Sequence, residues 1–311
     1  MKKRIVPLLA AALIWGLAFQ PPQAALAQTG ARALTAGEAT IPPTAAPQQI
    51  TIAAPETTSD PTPVPQPPDT PEPTPEPTPA PTPEPLILSA QRLNSTEFDS
   101  YFDEAVFVGD SITKSFGNYV QALRLTNEGL LGTAQFLGTI SMSAVAASQN
   151  RAEGEISFRF QGRSMALTDA LNAMEARKAF IMLGVNDIGW RRWENVEESF
   201  ARIIDNIHAQ CPDVEVILFG ILPVSRYYCR ENKLDIDRWN SFNPILEGVC
   251  RDHGAEFISF ADQVMTEEGY LDIALSDGQF HLNPAGEDIW IAFLRRYAAQ
   301  KLYPDAILED S

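Results

Sequence analysis

Five apolar runs of about five residues, at 105–108, 134–140, 179–183, 214–219 and 256–260, alternate with stretches that carry apolar residues at helical spacing. That order predicts an α/β fold, a parallel sheet covered by helices on both faces in a three-layer α/β/α sandwich. Uninterrupted apolar runs suit strands buried on both sides. A third observation supports the same class: the runs stop at turns rich in glycine and polar residues, where open α/β folds place their ligands.

The first run stops at Gly109-Asp110-Ser111, and 112–125 suits a helix. A tight turn there exposes Ser111 at the sheet edge, beside the unpartnered backbone N–H groups of a helix N-terminus. The second run ends in Gly138-Thr139-Ile140-Ser141-Met142-Ser143, another strand-to-helix turn. Over 151–163, Ile156, Phe158 and Phe160 alternate as in a small exposed strand or hairpin, and Ala166, Leu167, Ala170, Leu171 and Met174 then mark a helix face. The run at 179–183 reads as a central strand and stops at Gly184-Val185-Asn186-Asp187. Val196, Phe200, Ile203, Ile204 and Ile207 define the next helix, closed by Pro212. After the strand at 214–219 comes a longer loop with Pro223, Arg226, Tyr227 and Tyr228, then a helix over 236–251 with Pro244 as a candidate kink. Asn283 as cap and Pro284 in the first turn open a last helix, which is expected to bury Ile289, Phe293, Leu294 and Tyr297.

The first 85 residues differ in kind. Residues 1–27 read as a signal peptide: Lys2, Lys3 and Arg4, an apolar run over 5–19, and the small-residue site Ala25-Leu26-Ala27. Export is expected. An uncleaved anchor is the alternative, against which the run is short for a spanning helix and contains Pro7. Residues 28–85 are expected to be disordered, and 55–85 holds fourteen of the chain's 25 prolines in a Pro-Thr-Pro-Glu pattern. Such a segment cannot bury a core, and at about 3.1 Å per residue it reaches on the order of 90 Å, which suits a spacer. Residues 86–311 then form one domain.

Four of the 23 basic and seven of the 40 acidic residues precede Leu86, so this domain carries a formal charge of about −14. Nucleic acid is excluded as a partner on that charge, and anionic membrane surfaces are disfavoured. No stable protein partner is implied. Cys211, Cys229 and Cys250 match no metal framework. A Cys229–Cys250 disulfide and three buried free thiols both remain open. No metal cluster or phosphate-binding loop is readable, so neither metal nor cofactor is expected.

Four polar turns should share one sheet edge: Gly109-Asp110-Ser111, 138–143, Gly184 to Asp187, and Ser276-Asp277-Gly278-Gln279-Phe280-His281. Acyl transfer needs a nucleophile, a base, a carboxylate that orients the base, and donors for the oxyanion, and each type is present. His281 is the natural base. His208 lies within a helix beside its apolar stripe and His253 at a helix-to-strand junction on the opposite edge, so both read as structural.

These blocks resemble the SGNH hydrolase superfamily, the GDSL-type esterases and acylhydrolases, over roughly 106–297. Gly109-Asp110-Ser111 is similar to the first block, Gly184-Val185-Asn186-Asp187 to the Gly-x-Asn-Asp block, and Asp277 with His281 to the last. The resemblance implies the SGNH hydrolase fold with a parallel, flavodoxin-like sheet, and an ester-hydrolysing serine enzyme. It implies Ser111 as nucleophile, His281 as base and Asp277 as orienting carboxylate. It also implies an oxyanion hole from the Ser111 N–H, a backbone N–H of the second block at Gly138 or Ser141, and the Asn186 amide. One departure matters: three residues rather than two separate Asp277 from His281. Gly278 is the residue able to absorb the insertion as a bulge.

Trp190, Arg191 and Trp193 after Asn186, and Tyr227 and Tyr228 after the next strand, should flank the serine as substrate-binding loops or cap the sheet edge. Aromatic faces beside arginines suit sugar rings. An exported enzyme on a long spacer points to short esters such as O-acetyl groups on carbohydrate or cell-wall polymer, at the cell surface, in the wall or secreted. Two other readings stand beside it: a flavodoxin-like domain with polar turns, and a catalytically silent carbohydrate-binding or surface module on the same scaffold. The intact Ser111, Asn186 and His281 set argues against the second. An α/β-hydrolase elbow is disfavoured because Gly162-Arg163-Ser164-Met165-Ala166 lacks its second glycine.

Overall fold

The computed structural model describes residues 86–154 and 156–309. The expected signal peptide and the 28–85 region lie outside them. The strands are β1 (Ile87–Leu88), β2 (Ala105–Gly109), β3 (Gln135–Gly138), β4 (Phe158–Phe160), β5 (Arg163–Met165), β6 (Lys178–Met182), β7 (Glu215–Phe219), β8 (Glu256–Ile258) and β9 (Ile307–Leu308). The α-helices are α1 (Ala90–Leu93), α2 (Ser111–Arg124), α3 (Ala144–Ala147), α4 (Leu167–Ala173), α5 (Trp193–Gln210), α6 (Arg226–Asn232), α7 (Ile236–Asn240), α8 (Phe242–His253) and α9 (Pro284–Leu302).

The central sheet has the order β3-β2-β6-β7-β8 and every pairing in it is parallel. The sheet grows from β2 outward to β3 and, after one jump, from β6 to β8, so the direction of growth reverses between β2 and β6. Right-handed crossovers then place α2 on one face and α5 and α8 on the other. Consistent with that, α2 touches α9, whereas α5 packs on α3 and α8. The three-layer expectation is met.

Register explains the core. Phe107 sits opposite Phe136 on one side and Phe180 on the other. The three rings stack, at 5.3 Å from Phe107 to Phe136 and 4.9 Å from Phe107 to Phe180. Phe116 of α2 lies edge-on to Phe107 and stacks at 3.9 Å on Trp290 of α9, which is fully buried. Burying each such ring contributes about 1.5–3 kcal/mol, so this aromatic slab fixes how α2 and α9 lie on the sheet.

Four expectations shift. The hairpin forms at β4–β5, where Gln161 and Gly162 have φ of 47° and 78°, as a two-residue turn requires. The loop expected after β7 contains α6, because Ser225 caps it by accepting from the Tyr228 N–H. The single helix expected over 236–251 is split at Ser241 into α7 and α8. Asn243 clamps that break to the end of β7, accepting from Ile221 N at 2.7 Å and donating to Ile221 O at 3.0 Å. Pro244 does not kink a helix, since in the first turn of α8 its missing N–H has no partner to lose. In α9 the buried face centres on Trp290, Ile291, Leu294 and Tyr297, leaving Ile289 and Phe293 half-buried.

Away from the polar turns, the start and end of the domain are joined. β1 pairs in parallel with β9. Below it Arg295 of α9 grips Asp99 with two hydrogen bonds, at 2.9 and 2.8 Å, and donates to Asn94 O at 2.8 Å. The Asp99 side chain is only 2% exposed. Removing one partner of a buried pair strands the other charge, so Arg295→Ala is expected to lower unfolding free energy by about 3 kcal/mol or more, whereas Asp99→Leu with Arg295→Met costs less. Urea denaturation of both variants checks this; a loss under about 1 kcal/mol for Arg295→Ala would show that the pair contributes little.

Candidate active site

β2 delivers Ser111 to the carboxyl edge of the sheet as the first residue of α2, with Asp110 as the cap whose Oδ1 accepts the Ile112 N–H at 2.8 Å. β6 ends nearby and turns through Gly184 to Asp187. From it the Asn186 amide donates to Met142 O at 2.9 Å and to Asp110 Oδ2 at 3.3 Å. The last turn brings His281 to the serine: Nε2 lies 2.9 Å from Ser111 Oγ, and Nδ1 lies 2.8 Å from Asp277 Oδ2. Ser111, His281 and Asp277 thus form one unbroken hydrogen-bonded chain, with Asn186 beside Asp110.

The extra residue is absorbed in the loop. Asp277 N donates to His281 O at 3.0 Å, and an antiparallel bridge joins Ser276 to Leu282. Gly278 takes φ 85°, a left-handed conformation that a side chain strains. Asp277 Oδ1 accepts the N–H groups of Gln279 at 2.8 Å and His281 at 3.3 Å. Burial pushes the Asp277 carboxyl up, but the His281 hydrogen bond and these backbone donors outweigh it and hold the group below the usual carboxylate range.

Two buried carboxylates brace the Ser111 side, and sequence reasoning gave neither a role. Asp187 is fully buried and accepts from Ala144 N at 2.7 Å and Val145 N at 3.4 Å, anchoring the start of α3. Burial pushes it up against those donors and the nearby Arg191. Asp110, also fully buried, is pushed up to about 7 by burial and by Asp187, against the Ile112 N–H and the facing His281.

The two candidates for the second-block donor have different surroundings. Gly138 lies within β3 opposite Gly109, and a side chain there would collide with the backbone of Lys114 in α2, so this glycine permits close helix-to-sheet packing. Ser141 lies in the turn itself at φ 59°, inside the bond from Met142 N to Thr139 O at 3.1 Å.

Among the aromatic candidates, Trp190 and Tyr227 are open, at 55% and 54% exposure. Trp193 is half-buried. Its indole N–H donates to Ile188 O at 3.1 Å, and its ring packs edge-on to Phe242 at 5.2 Å with Arg238 over it at 4.9 Å. Tyr228 is half-buried, edge-on to Phe280 at 5.0 Å, and therefore packs behind the His281 loop. Arg191 pairs with Asp187 at 3.3 Å.

The remaining histidines stand apart. His208 is exposed, and His253 binds Asp205 at 2.8 Å. All three cysteines are buried free thiols, so the Cys229–Cys250 pairing is not formed. Among the described residues no group of three or more metal-binding side chains comes together, and no helix is long and apolar enough to cross a membrane.

Comparison with known proteins gives the arrangement a family context. Residues 107–289 match the family model described as the GDSL-like lipase/acylhydrolase family. A protein of Mycoplasma pneumoniae with no characterised function is 27% identical over 168 residues, which is 51% of this chain but 17% of that relative's length. A GDSL-like lipase from Bacteroides thetaiotaomicron superposes with a TM-score of 0.50 at 16% identity, covering 66% of this chain and 98% of its own. A Bacteroides fragilis protein provisionally assigned as an acylhydrolase gives a TM-score of 0.50 at 14% identity, covering 64% and 87%. At such identities these two likenesses establish the fold.

The raised Asp110 carboxyl has a consequence for stability. An unfolded aspartate ionises near pH 4, so the folded state retains the proton to higher pH and stability falls as pH rises from about 4 through about 7. Asp110→Asn keeps an oxygen for the Ile112 N–H and removes the titration. Its Tm relative to wild type is therefore expected to rise between about pH 5 and about pH 8. A difference that is flat with pH, measured by thermal denaturation, would show that Asp110 ionises normally.

Proposed function

The chain belongs to the GDSL-like lipase/acylhydrolase family; from that premise we propose that it is an exported serine esterase that removes short acyl groups, such as O-acetyl, from carbohydrate or cell-wall polymer. The observation that carries the catalytic part is the chain of hydrogen bonds from Asp277 through His281 to Ser111, at 2.8 and 2.9 Å. Ser111 Oγ attacks the ester carbonyl while His281 Nε2 takes its proton. His281 returns that proton to the departing alcohol, and water then releases the acyl group by the same steps. Asp277 holds the ring so that Nε2 faces the serine.

The carbonyl oxygen becomes negative as Ser111 adds. In this reading the Ser111 N–H at the α2 N-terminus, a backbone N–H of the 138–143 turn and the Asn186 amide receive it. Asn186 now gives its N–H groups to Met142 O and Asp110, so the amide is pre-oriented at the same edge as the serine.

The substrate class is supported by open rings. Trp190 lies four residues beyond Asn186, and Tyr227 lies beside the helix cap that touches the His281 loop, with Arg230 over its ring at 5.4 Å. Flat exposed aromatic faces near cations suit oxygenated rings better than long acyl chains. Export and a spacer role for 55–85 rest on the sequence features of residues 1–85.

A fluorophosphonate is expected to add one label, at Ser111, and none to Ser111→Ala; a label elsewhere would overturn the assignment. Asp277→Asn should keep the fold and lower kcat by up to about 10⁴, because the ring is then held in the wrong tautomer. A loss under tenfold beside a dead His281→Ala would leave a Ser-His pair without its third member. Across esters that vary acyl length and sugar, acetylated sugars should have the highest kcat/KM, and preference for long acyl chains would refute the substrate class. A chain beginning at Leu86 should hydrolyse a small soluble ester as fast as the full chain does.

A further inference from the structure

We propose that Ser225 is a positioning residue of the hydrolytic site, acting on Asp277 through a single peptide group. The inference rests on the serine-esterase reading above and adds a residue from a different strand-to-helix connection.

Ser225 is 3% exposed and stands between β7 and α6. Its Oγ accepts the Tyr228 N–H at 3.0 Å and donates to Gly278 O at 2.6 Å, while its own N–H donates to Gln279 O at 2.7 Å. A hydroxyl has one proton, and with the cap bond taking a lone pair that proton is committed to Gly278 O. The Gly278 carbonyl belongs to the same peptide group as the Gln279 N–H, and that N–H donates to Asp277 Oδ1 at 2.8 Å. In a trans peptide the C=O and N–H point in opposite directions. Fixing Gly278 O toward Ser225 therefore aims the Gln279 N–H at Asp277.

A continuous line of bonds results: Ser225 hydroxyl, peptide 278–279, Asp277 carboxylate, His281 ring, Ser111 hydroxyl. The peptide needs such an anchor. Gly278 has no side chain to pack, its φ of 85° is one of many that glycine can take, and the Asp277 side chain is 36% exposed. From the same helix, Tyr228 packs on Phe280, whose ring lies 4.3 Å from that of His281. The cap of α6 thus doubles as the clamp of the lengthened Asp277-to-His281 loop.

The test uses the full chain with Ser225→Gly, Ser225→Ala and Ser225→Thr. Glycine is nearly as good a helix cap as serine, so Ser225→Gly removes the hydroxyl while sparing α6. Turnover of a soluble acetyl ester, the proton resonance of His281 Nδ1 and Tm are measured on each. Ser225→Gly and Ser225→Ala are expected to lower kcat about 10- to 100-fold with KM within about twofold, and to lose or broaden that resonance, whereas Ser225→Thr retains both. Wild-type kcat and an intact resonance in the glycine and alanine variants would overturn the proposal, as would a threonine variant that behaves like glycine. Fluorophosphonate labelling of wild-type Ser111 is read in parallel. Absence of the label sinks the esterase reading itself, while the resonance still reports whether Ser225 orders Asp277 and His281.

Discussion

A fully buried carboxylate at the start of α2 organises the polar edge of this molecule. Asp110 caps the helix that presents Ser111 and, through its second oxygen, holds the amide of Asn186 from the neighbouring strand end. Burying a carboxyl without partners costs several kcal/mol, so the group is tolerable only where those N–H donors converge. The ends of β2 and β6 and the start of α2 must therefore meet with little freedom. Asp187 repeats the device one turn further along, fastening the start of α3 to the end of β6. Ser111 and the Asn186 amide are thus set by the sheet itself.

The His281 side is built differently. His281 and Asp277 belong to a loop before α9, with no central strand beneath them. What holds them is a set of hydrogen bonds within the loop, the glycine turn, and contacts from Ser225 and Tyr228 in another connection. A rigid half and a clamped half meet in the bond between Ser111 and His281, residues separated by 170 positions in the chain. The aromatic slab of Phe107, Phe116 and Trp290 makes that meeting reproducible, since it locks α2 and α9 together on one face of the sheet. The joined ends of the domain, with Arg295 on Asp99, secure α9 again further along its length.

Most of the fold was legible in the chain because its strands are buried on both faces and its helices on one. The apolar runs at 105–108 and 179–183 could be little else, and Asn283-Pro284 marked a helix start with no tertiary help. The misses share a cause. α6 was hidden because Ser225 is an ordinary cap without an apolar stripe behind it. The break at Ser241 is imposed by Asn243 bonding Ile221, a contact between segments about twenty residues apart that no periodicity records. For Trp193 and Tyr228, both half-buried, sequence shows an aromatic near a loop but not which way the ring turns.

By itself the sequence determined the α/β class and the order of the strand-end turns, and its resemblance to the family singled out Ser111, Asn186, Asp277 and His281 as candidates. The class and the turns follow from local rules, the hydrophobic period and the chemistry of glycine, asparagine and proline at turns. Only the tertiary structure decided whether a loop one residue longer still lets Asp277 reach His281, and that buried Asp110 and Asp187 brace the turn that carries Ser111. It alone selected Trp190 and Tyr227 as the open rings. The physical reason is that hydrogen-bond partnership and burial belong to pairs of residues far apart in the chain, whereas spacing and composition describe each segment alone.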